Sequence, residues 1–418
     1  MSKEKLKIML LSDHALSTSG VGCQSRFLMN GLISKGHWTV RQFGAALKHV
    51  NYDIAAPHPD FIIKPIDGFG NPDMLRIALA AEKPDILMIF TDPRFFTWLW
   101  AMEDEIHQIC PIAYWHVWDN YPYPKFNKNF YASTDLINCH SHLTYEMVSK
   151  EFPDRTNFIP HALPDEIFYP LTEQQTRQSK IGLLGQDKAD NFVLFWVNRN
   201  ARRKRPSDVL VSWKKFLDKL SVEERKNVTL LMHTDPHDQE GPNLTSVSAM
   251  LEIQDTVLFS KERLDFSQMN ILHNISDACI NIAFAEGFGL ATLESMKVGN
   301  PIIASKTGGL TRQVIDHRDG SENGVGLQIA QKVMVGSQSV PYIYEDYVDL
   351  DETAEAIHKI YSMDKKDRTA LGLKAREYVQ SEFSMQKTID EWDDKLLKLS
   401  NDWRAGKRVV PRYDITEL

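Results

Sequence analysis

The chain has 418 residues, 43% of them hydrophobic and 25% charged, and a net charge of −8. This is globular composition at a length beyond one ordinary core, so two domains of roughly 200 residues are expected. The acidic balance disfavours non-specific nucleic-acid binding, and no apolar window approaches the ~18 residues of a membrane span.

The start, MSKEKLKIMLLSD, has a short apolar run followed at once by Asp13 and His14. It reads as a first buried strand, because a signal peptide needs a longer apolar core and a cleavage site. Strand-length apolar runs follow at 39–43, 86–90, 112–116 and 136–139, with helical segments between them, as at 23–34 and 72–82. The runs are short and nearly continuous, the mark of parallel strands buried on both faces. FFTWLWAM at 95–102 is too short for a membrane anchor and reads as core or as the wall of a substrate cleft. The region 164–186 carries two prolines, a polar run and two glycines, and reads as a linker. The second half repeats the scheme, with strands expected at 192–198, 228–233, 257–259, 278–283 and 301–304 and helices at 206–219, 267–275 and 290–298. Alternating strands and helices imply two doubly wound α/β sheets. A late amphipathic helix is expected at 385–402, with Asp393 and Asp394 solvated. Cys23, Cys110, Cys139 and Cys279 are far apart with no metal-ligand spacing, which suits reduced, mostly buried thiols in a cytoplasmic protein.

The strongest chemical signal is EGFGLATLE, 286–294, between an expected strand and an expected helix. Gly287 and Gly289 permit a sharp turn and close approach of a ligand, and a helix opening at Leu290 points free N–H groups at whatever lies over Phe288 and the loop. A diphosphate suits such a site. Glu286 and Glu294 cannot both meet phosphates and would reach neutral hydroxyls instead. The plain alternative is a strand-to-helix turn with an acidic residue near the helix start. A second signal, VNRNARRKRP at 197–206, follows the first strand of the second half. Fixed cations there could hold an anionic group and would favour a state in which its negative charge grows. The alternative is a solvated basic turn, which is the reading for Arg202, Arg203 and Arg205, with contact to an anionic acceptor as a second possibility. Thr307, Gly308 and Gly309 form a third loop able to expose backbone N–H groups to an anion, or a simple turn.

The E-x7-E pattern and its flanks, ISDACINIAFAEGFGLATLESMKVGNPIIASKTGGL, resemble the signature of the retaining glycosyltransferases of family four, which have the GT-B fold. The resemblance implies two Rossmann-like doubly wound domains facing across a cleft. It places an acceptor-side domain at 1–168, a donor-binding domain at 169–384, and the segment 385–418 packing back on the first. It gives Glu286 to donor-sugar hydroxyls and Glu294 to the ribose. Arg199 and Lys204 match the family's Arg and Lys, five residues apart, at the diphosphate, and 307–309 its loop near the phosphates.

In the first half, STSGVG at 17–22 matches the family's glycine-rich loop, placing Gly20 and Gly22 near the donor diphosphate. The alternative, a dinucleotide fingerprint, is incomplete because Ser25 stands at its third glycine. His116 ends an expected strand, where the family often has a His beside the donor sugar; a packed core histidine is the alternative. His161 resembles an inter-domain position, or is a hinge residue. Asp92, Trp115, Trp118 and Tyr121 fall where acceptors bind in this fold. His233, Asp235, His237 and Asp238 suggest a metal site by type, but a loop beside the nucleotide base is preferred, and no D-x-D ends a strand.

The expectation is therefore a retaining, metal-independent transferase without cofactor, moving a sugar from a UDP- or GDP-sugar to a saccharide or other hydroxyl acceptor. A DNA-modifying glycosyltransferase acting on a hydroxymethylated base, and a nucleotide-binding protein without transfer activity, are the alternatives.

Overall fold

The computed structural model describes residues 5–47 and 52–410. The ends of the expected 1–168 and 385–418 segments, and 48–51, lie outside the described residues. The chain divides into two compact units. The first runs to Ala162 and includes Val335–Ile343 and the chain from Met385; the second is Leu163–Met334 with Tyr344–Ser384. The first crossing thus falls six residues before the expected boundary at 168.

The first unit is built on β1 (Leu6–Asp13), β2 (Trp38–Ala45), β3 (Ala55–His58), β4 (Phe61–Pro65), β5 (Ile86–Thr91), β6 (Ile112–His116), β7 (Leu136–Cys139) and β8 (Thr156–Phe158). Their order in the sheet is β3-β4-β2-β1-β5-β6-β7-β8. Every pairing is parallel except β3 with β4. Strand residues alternate between two faces, and each face has its own core. Ile8, Leu10, Met88, Phe90 and Trp115 lie in one, and Met9, Leu11, Ile89, Tyr114 and Ile137 in the other.

The helix Met385–Arg404 belongs to this unit and contributes Trp392 and Leu396 to the first of those cores. Gly31 lets it approach, since a Cβ there would sit 2.3 Å from Ile389 Cδ1. Asp393 is buried and not solvated: it accepts from Trp38 Nε1 at 2.6 Å and lies 2.8 Å from His37 Nε2. Burying a carboxylate is tolerable only with such partners.

The second unit carries β9 (Phe192–Val197), β10 (Val228–His233), β11 (Val257–Ser260), β12 (Ala278–Asn281), β13 (Ile302–Ser305) and β14 (Gly324–Leu327) in the order β11-β10-β9-β12-β13-β14. All of these pairs are parallel. Leu194, Trp196, Leu230 and Ile280 pack on one face with Val209, Trp213 and Ile357; Val193, Phe195 and Leu231 pack on the other with Leu272 and Ile275. A separate two-stranded sheet pairs β15 (Gln331–Val335) with β16 (Ile343–Tyr347).

The region expected as a linker contains a helix, Glu173–Leu184. A capping box starts it: Thr172 accepts from Gln175 N, and the Gln175 side chain accepts from Thr172 N. None of its residues is buried, so it has no apolar stripe to betray it. No helix among the described residues is long and apolar enough to cross a membrane.

Candidate active site

In the second unit three loops at strand ends converge. After β9, a short turn at Arg202–Lys204 lies against the segment leaving β12. Phe284 N donates to Arg203 O at 3.0 Å, which fixes the two loops side by side. Lys204 is buried, and its Nζ pairs with Glu286 Oε2. Burial alone would push the Glu286 carboxyl up, but the Lys204 and Arg203 charges prevail and hold it below the usual carboxylate range. Lys204, expected at the diphosphate, and Glu286, expected at the donor sugar, are thus one ion pair that is largely shielded from solvent.

The glycine-rich loop then turns into the helix Leu290–Lys297. Gly289 is its N-cap, with φ 95° in the left-handed region and no side chain capping the first turn. Thr292 Oγ1 donates back to Gly289 O at 2.8 Å, and Gln313 Nε2 donates to Phe288 O at 2.8 Å and Gly289 O at 3.1 Å. These bonds leave the first-turn N–H groups without a side-chain acceptor while fixing the loop carbonyls. Phe288 itself is buried and meets Phe383 edge-on at 5.4 Å, so its ring serves the core.

The third loop follows β13. Gly309 N donates to Glu286 O at 2.9 Å. A Cβ on Gly309 would lie 2.4 Å from Phe288 Cα and 2.6 Å from Gly287 O, so only glycine allows this approach. Gly308 also adopts positive φ, 47°. Thr307 Oγ1 donates to Asp346 Oδ2 at 2.6 Å, tying the loop to β16.

Arg199 forms a two-pronged pair with Asp238, Nε to Oδ2 at 2.7 Å and Nη2 to Oδ1 at 3.0 Å, and its side chain is half exposed. Glu294 lies farther along the helix with Oε2 3.1 Å from His273 Nε2. The structure thus brings Lys204, Glu286–Leu290 and Thr307–Gly309 together at strand ends of one sheet, where ligands bind in such folds; Arg199, after β9, is held by Asp238, and Glu294, within the helix, by His273. His273 was not singled out in the sequence, where a lone histidine on an apolar helix reads as core. Arg205 departs from the solvated reading: it is buried with its guanidinium 5.1 Å from the Phe284 ring centre and 4.8 Å from that of Tyr347. Arg202 pairs with Glu345.

The 233–238 loop spends its polar groups internally. His233 Nδ1 meets Ser260 Oγ at 2.9 Å, Asp235 accepts from His237 N at 2.9 Å, and Asp238 holds Arg199. Among the described residues no group of three or more His, Cys, Asp and Glu is placed to hold a metal ion.

In the first unit the glycine-rich loop closes on itself. Ser19 caps the helix Gly20–Ser34, accepting from Gly22 N at 2.9 Å and donating to Asp13 Oδ2 at 2.6 Å. A Cβ on Gly22 would fall 2.3 Å from Ser17 Oγ and 2.6 Å from His14 O. Asp92 caps the turn Pro93–Phe95 and lies 3.1 Å from Arg94 Nε; burial nevertheless raises its carboxyl above the ordinary value. Tyr121 is half-buried and precedes Pro122 through a cis peptide bond.

Three other first-unit residues are interior. Trp115, expected on the acceptor side, is core: it stacks on Phe90 at 3.9 Å and meets Trp392 at 5.3 Å. Its position on a strand flanked by sheet on both sides buries the ring. Trp118 is buried too, with Nε1 donating to Asn120 O at 2.8 Å. His116 is fully buried, its Nε2 2.7 Å from Tyr131 Oη and its ring 4.9 Å from Tyr114. Burial pushes its imidazole down to about 3, so it is neutral at ordinary pH. Its side chain as placed is a core group, although it ends β6. His161 is likewise buried, stacked on His140 at 4.3 Å.

Residues 183–326 match the family described as glycosyl transferases group 1. The chain is 23% identical over 283 residues to N-acetyl-alpha-D-glucosaminyl L-malate synthase of Bacillus anthracis, an alignment covering 66% of this chain and 62% of the relative. It is 30% identical over 174 residues to a D-inositol 3-phosphate glycosyltransferase of Stackebrandtia nassauensis, covering 40% of this chain and 37% of the relative. The chain therefore spans less than two thirds of the length of these curated relatives. Among solved structures, sucrose-phosphate synthase from Thermosynechococcus elongatus superposes with a TM-score of 0.71 at 17% identity, covering 94% of this chain and 99% of that one. Anabaena HepE in complex with UDP and glucose gives 0.67 at 15% identity, covering 94% and 100%. Residues 183–326, which carry Lys204 and Glu286, thus match the glycosyl transferases group 1 model, and the chain shares the GT-B fold along nearly its whole length.

Proposed function

We propose that the protein moves a sugar from a nucleotide-diphospho-sugar, a UDP- or GDP-sugar, to a hydroxyl acceptor of saccharide type, with retention at the anomeric carbon and without a metal. The observation that carries this reading is the buried Lys204–Glu286 pair beside a glycine-shaped loop and an uncapped helix start. A diphosphate placed at that helix start meets backbone N–H groups, and Lys204 and Arg199 are the cations within the same loop system. As the glycosidic bond breaks, negative charge grows on the leaving diphosphate, and fixed cations favour that state over the ground state. Glu286 accepts from donor-sugar hydroxyls and Glu294 from the ribose. With both carboxylates so engaged, neither is a covalent nucleophile. Departure and attack then share one face of the sugar, and the donor phosphate takes the acceptor's proton. The relatives' names point to small polyol and saccharide chemistry, and HepE was solved with UDP and glucose.

The test is release of nucleoside diphosphate from a panel of UDP- and GDP-sugars with saccharide acceptors, read together with the product's anomeric configuration by NMR. Turnover with an α-donor giving an α-product supports the reading. Inversion overturns the mechanism, and binding without turnover in the presence of acceptors overturns the transfer assignment.

A further inference from the structure

We propose that His273 is a positioning residue that acts through Glu294 to present one carboxylate oxygen to the ribose of the nucleotide. The proposal rests on the reading of Glu294 as a ribose ligand and adds a residue to that site. His273 lies on the helix Phe266–Asn274, a separate element from the helix that carries Glu294. Its ring is wholly buried and sits edge-to-face with Phe195 at 5.0 Å and 85° and with Phe168 at 5.6 Å and 87°. Its backbone is fixed as well: Asn300 Nδ2, just beyond the Glu294 helix, donates to His273 O at 2.7 Å. The imidazole therefore has one orientation, set by the fold and independent of any ligand.

In that orientation Nε2 lies 3.1 Å from Glu294 Oε2, while Nδ1 has no hydrogen-bond partner. A carboxylate only accepts, so the proton sits on Nε2 and the ring donates. Glutamate otherwise has three freely turning bonds, and ordering it costs conformational entropy on binding. A rigid donor on Oε2 removes that cost in advance and leaves Oε1, on a side chain still partly open to solvent, for a vicinal hydroxyl.

The experiment titrates UDP and GDP, each beside its 2′-deoxy counterpart, into wild type, His273→Leu, His273→Gln and Glu294→Ala. Loss of the Nε2 donor is expected to weaken binding of the ribonucleotide about tenfold and the deoxynucleotide much less. His273→Gln, whose amide reaches the place of Nε2, restores the preference for ribose. In a Glu294→Ala background His273→Leu adds nothing. Should His273→Leu not fold, His273→Asn keeps a polar side chain but cannot reach Glu294, and takes its place. Equal weakening for ribo- and deoxynucleotides, no weakening at all, or full additivity with Glu294→Ala would overturn the proposal. If wild type binds neither UDP nor GDP, the donor-site reading itself falls. Wild-type binding with an inert His273→Leu overturns the positioning role alone.

Discussion

The second unit's loop system and the first unit's aromatic strand end both carry candidate site residues in the sequence, but they are built differently. In the second, Lys204, Glu286 and Glu294 keep polar partners at the mouth of a backbone that glycine alone can adopt. In the first, Trp115, Trp118 and His116 turn into the core: Trp118 Nε1 and His116 Nε2 bond Asn120 and Tyr131, while Trp115 Nε1 and His116 Nδ1 are buried without a hydrogen-bond partner. Proximity to a strand end is therefore a weak mark of function. Charge that is buried and paired beside a tightly turned loop is a stronger one, because burying it is costly unless the arrangement is used.

The largest effect expected from breaking this contrast is at Lys204. Lys204→Ala removes a cation from the leaving-group side and strands a buried carboxylate. Transfer should fall about 100-fold or more, and stability by about 3 kcal/mol, read by initial rates and by denaturant unfolding. The same pair carries a pH signature. Because the Glu286 carboxyl is held below its ordinary value of 4.5, its contribution is fully present above that pH and is lost as pH falls through the lowered folded value. Glu286→Gln should flatten that acid dependence in pH-resolved unfolding.

Next in size is Gly309→Ala, whose methyl would meet Phe288 Cα at 2.4 Å, a backbone atom that cannot step aside. It should cost about 1–3 kcal/mol of stability and weaken nucleotide binding, measured by thermal melting with and without UDP or GDP. His116 should behave as a core group. Its folded value of about 3 lies below the ordinary 6.5, so the stability it contributes is full above 6.5 and declines as pH falls toward 3. His116→Phe should therefore shallow the loss of stability between pH 6.5 and 3 in acid-unfolding curves. The smallest effect is at Asp238: with Arg199 half exposed, Asp238→Asn should change stability by less than about 1 kcal/mol, while shifting donor KM through the freed guanidinium.

The central strands were legible because a strand buried on both faces must be continuously apolar, as in 86–90 and 192–197. The edges were not. Ala55–His58 is exposed and contains Pro57, Thr156–Phe158 is three residues long, and Gln331–Val335 is mostly solvent-facing with only three apolar residues, so none carries the long apolar run of a central strand. The helix Glu173–Leu184 announced itself only through Thr172 and Gln175, which a reading by hydrophobic period passes over. The glycine-rich loops were legible as motifs because their backbones demand glycine. His273 was not, since its partner Glu294 is 21 positions away and only the packing of two helices joins them.

The central claim, that these loops of the second unit bind a nucleotide-diphospho-sugar, is tested most directly by calorimetric titration of UDP and GDP into wild type, Lys204→Ala and Glu294→Ala. The expected result is saturable binding of one of the two by wild type, weakened about tenfold or more in each variant. Binding of neither nucleotide, or equal binding by all three proteins, would contradict it.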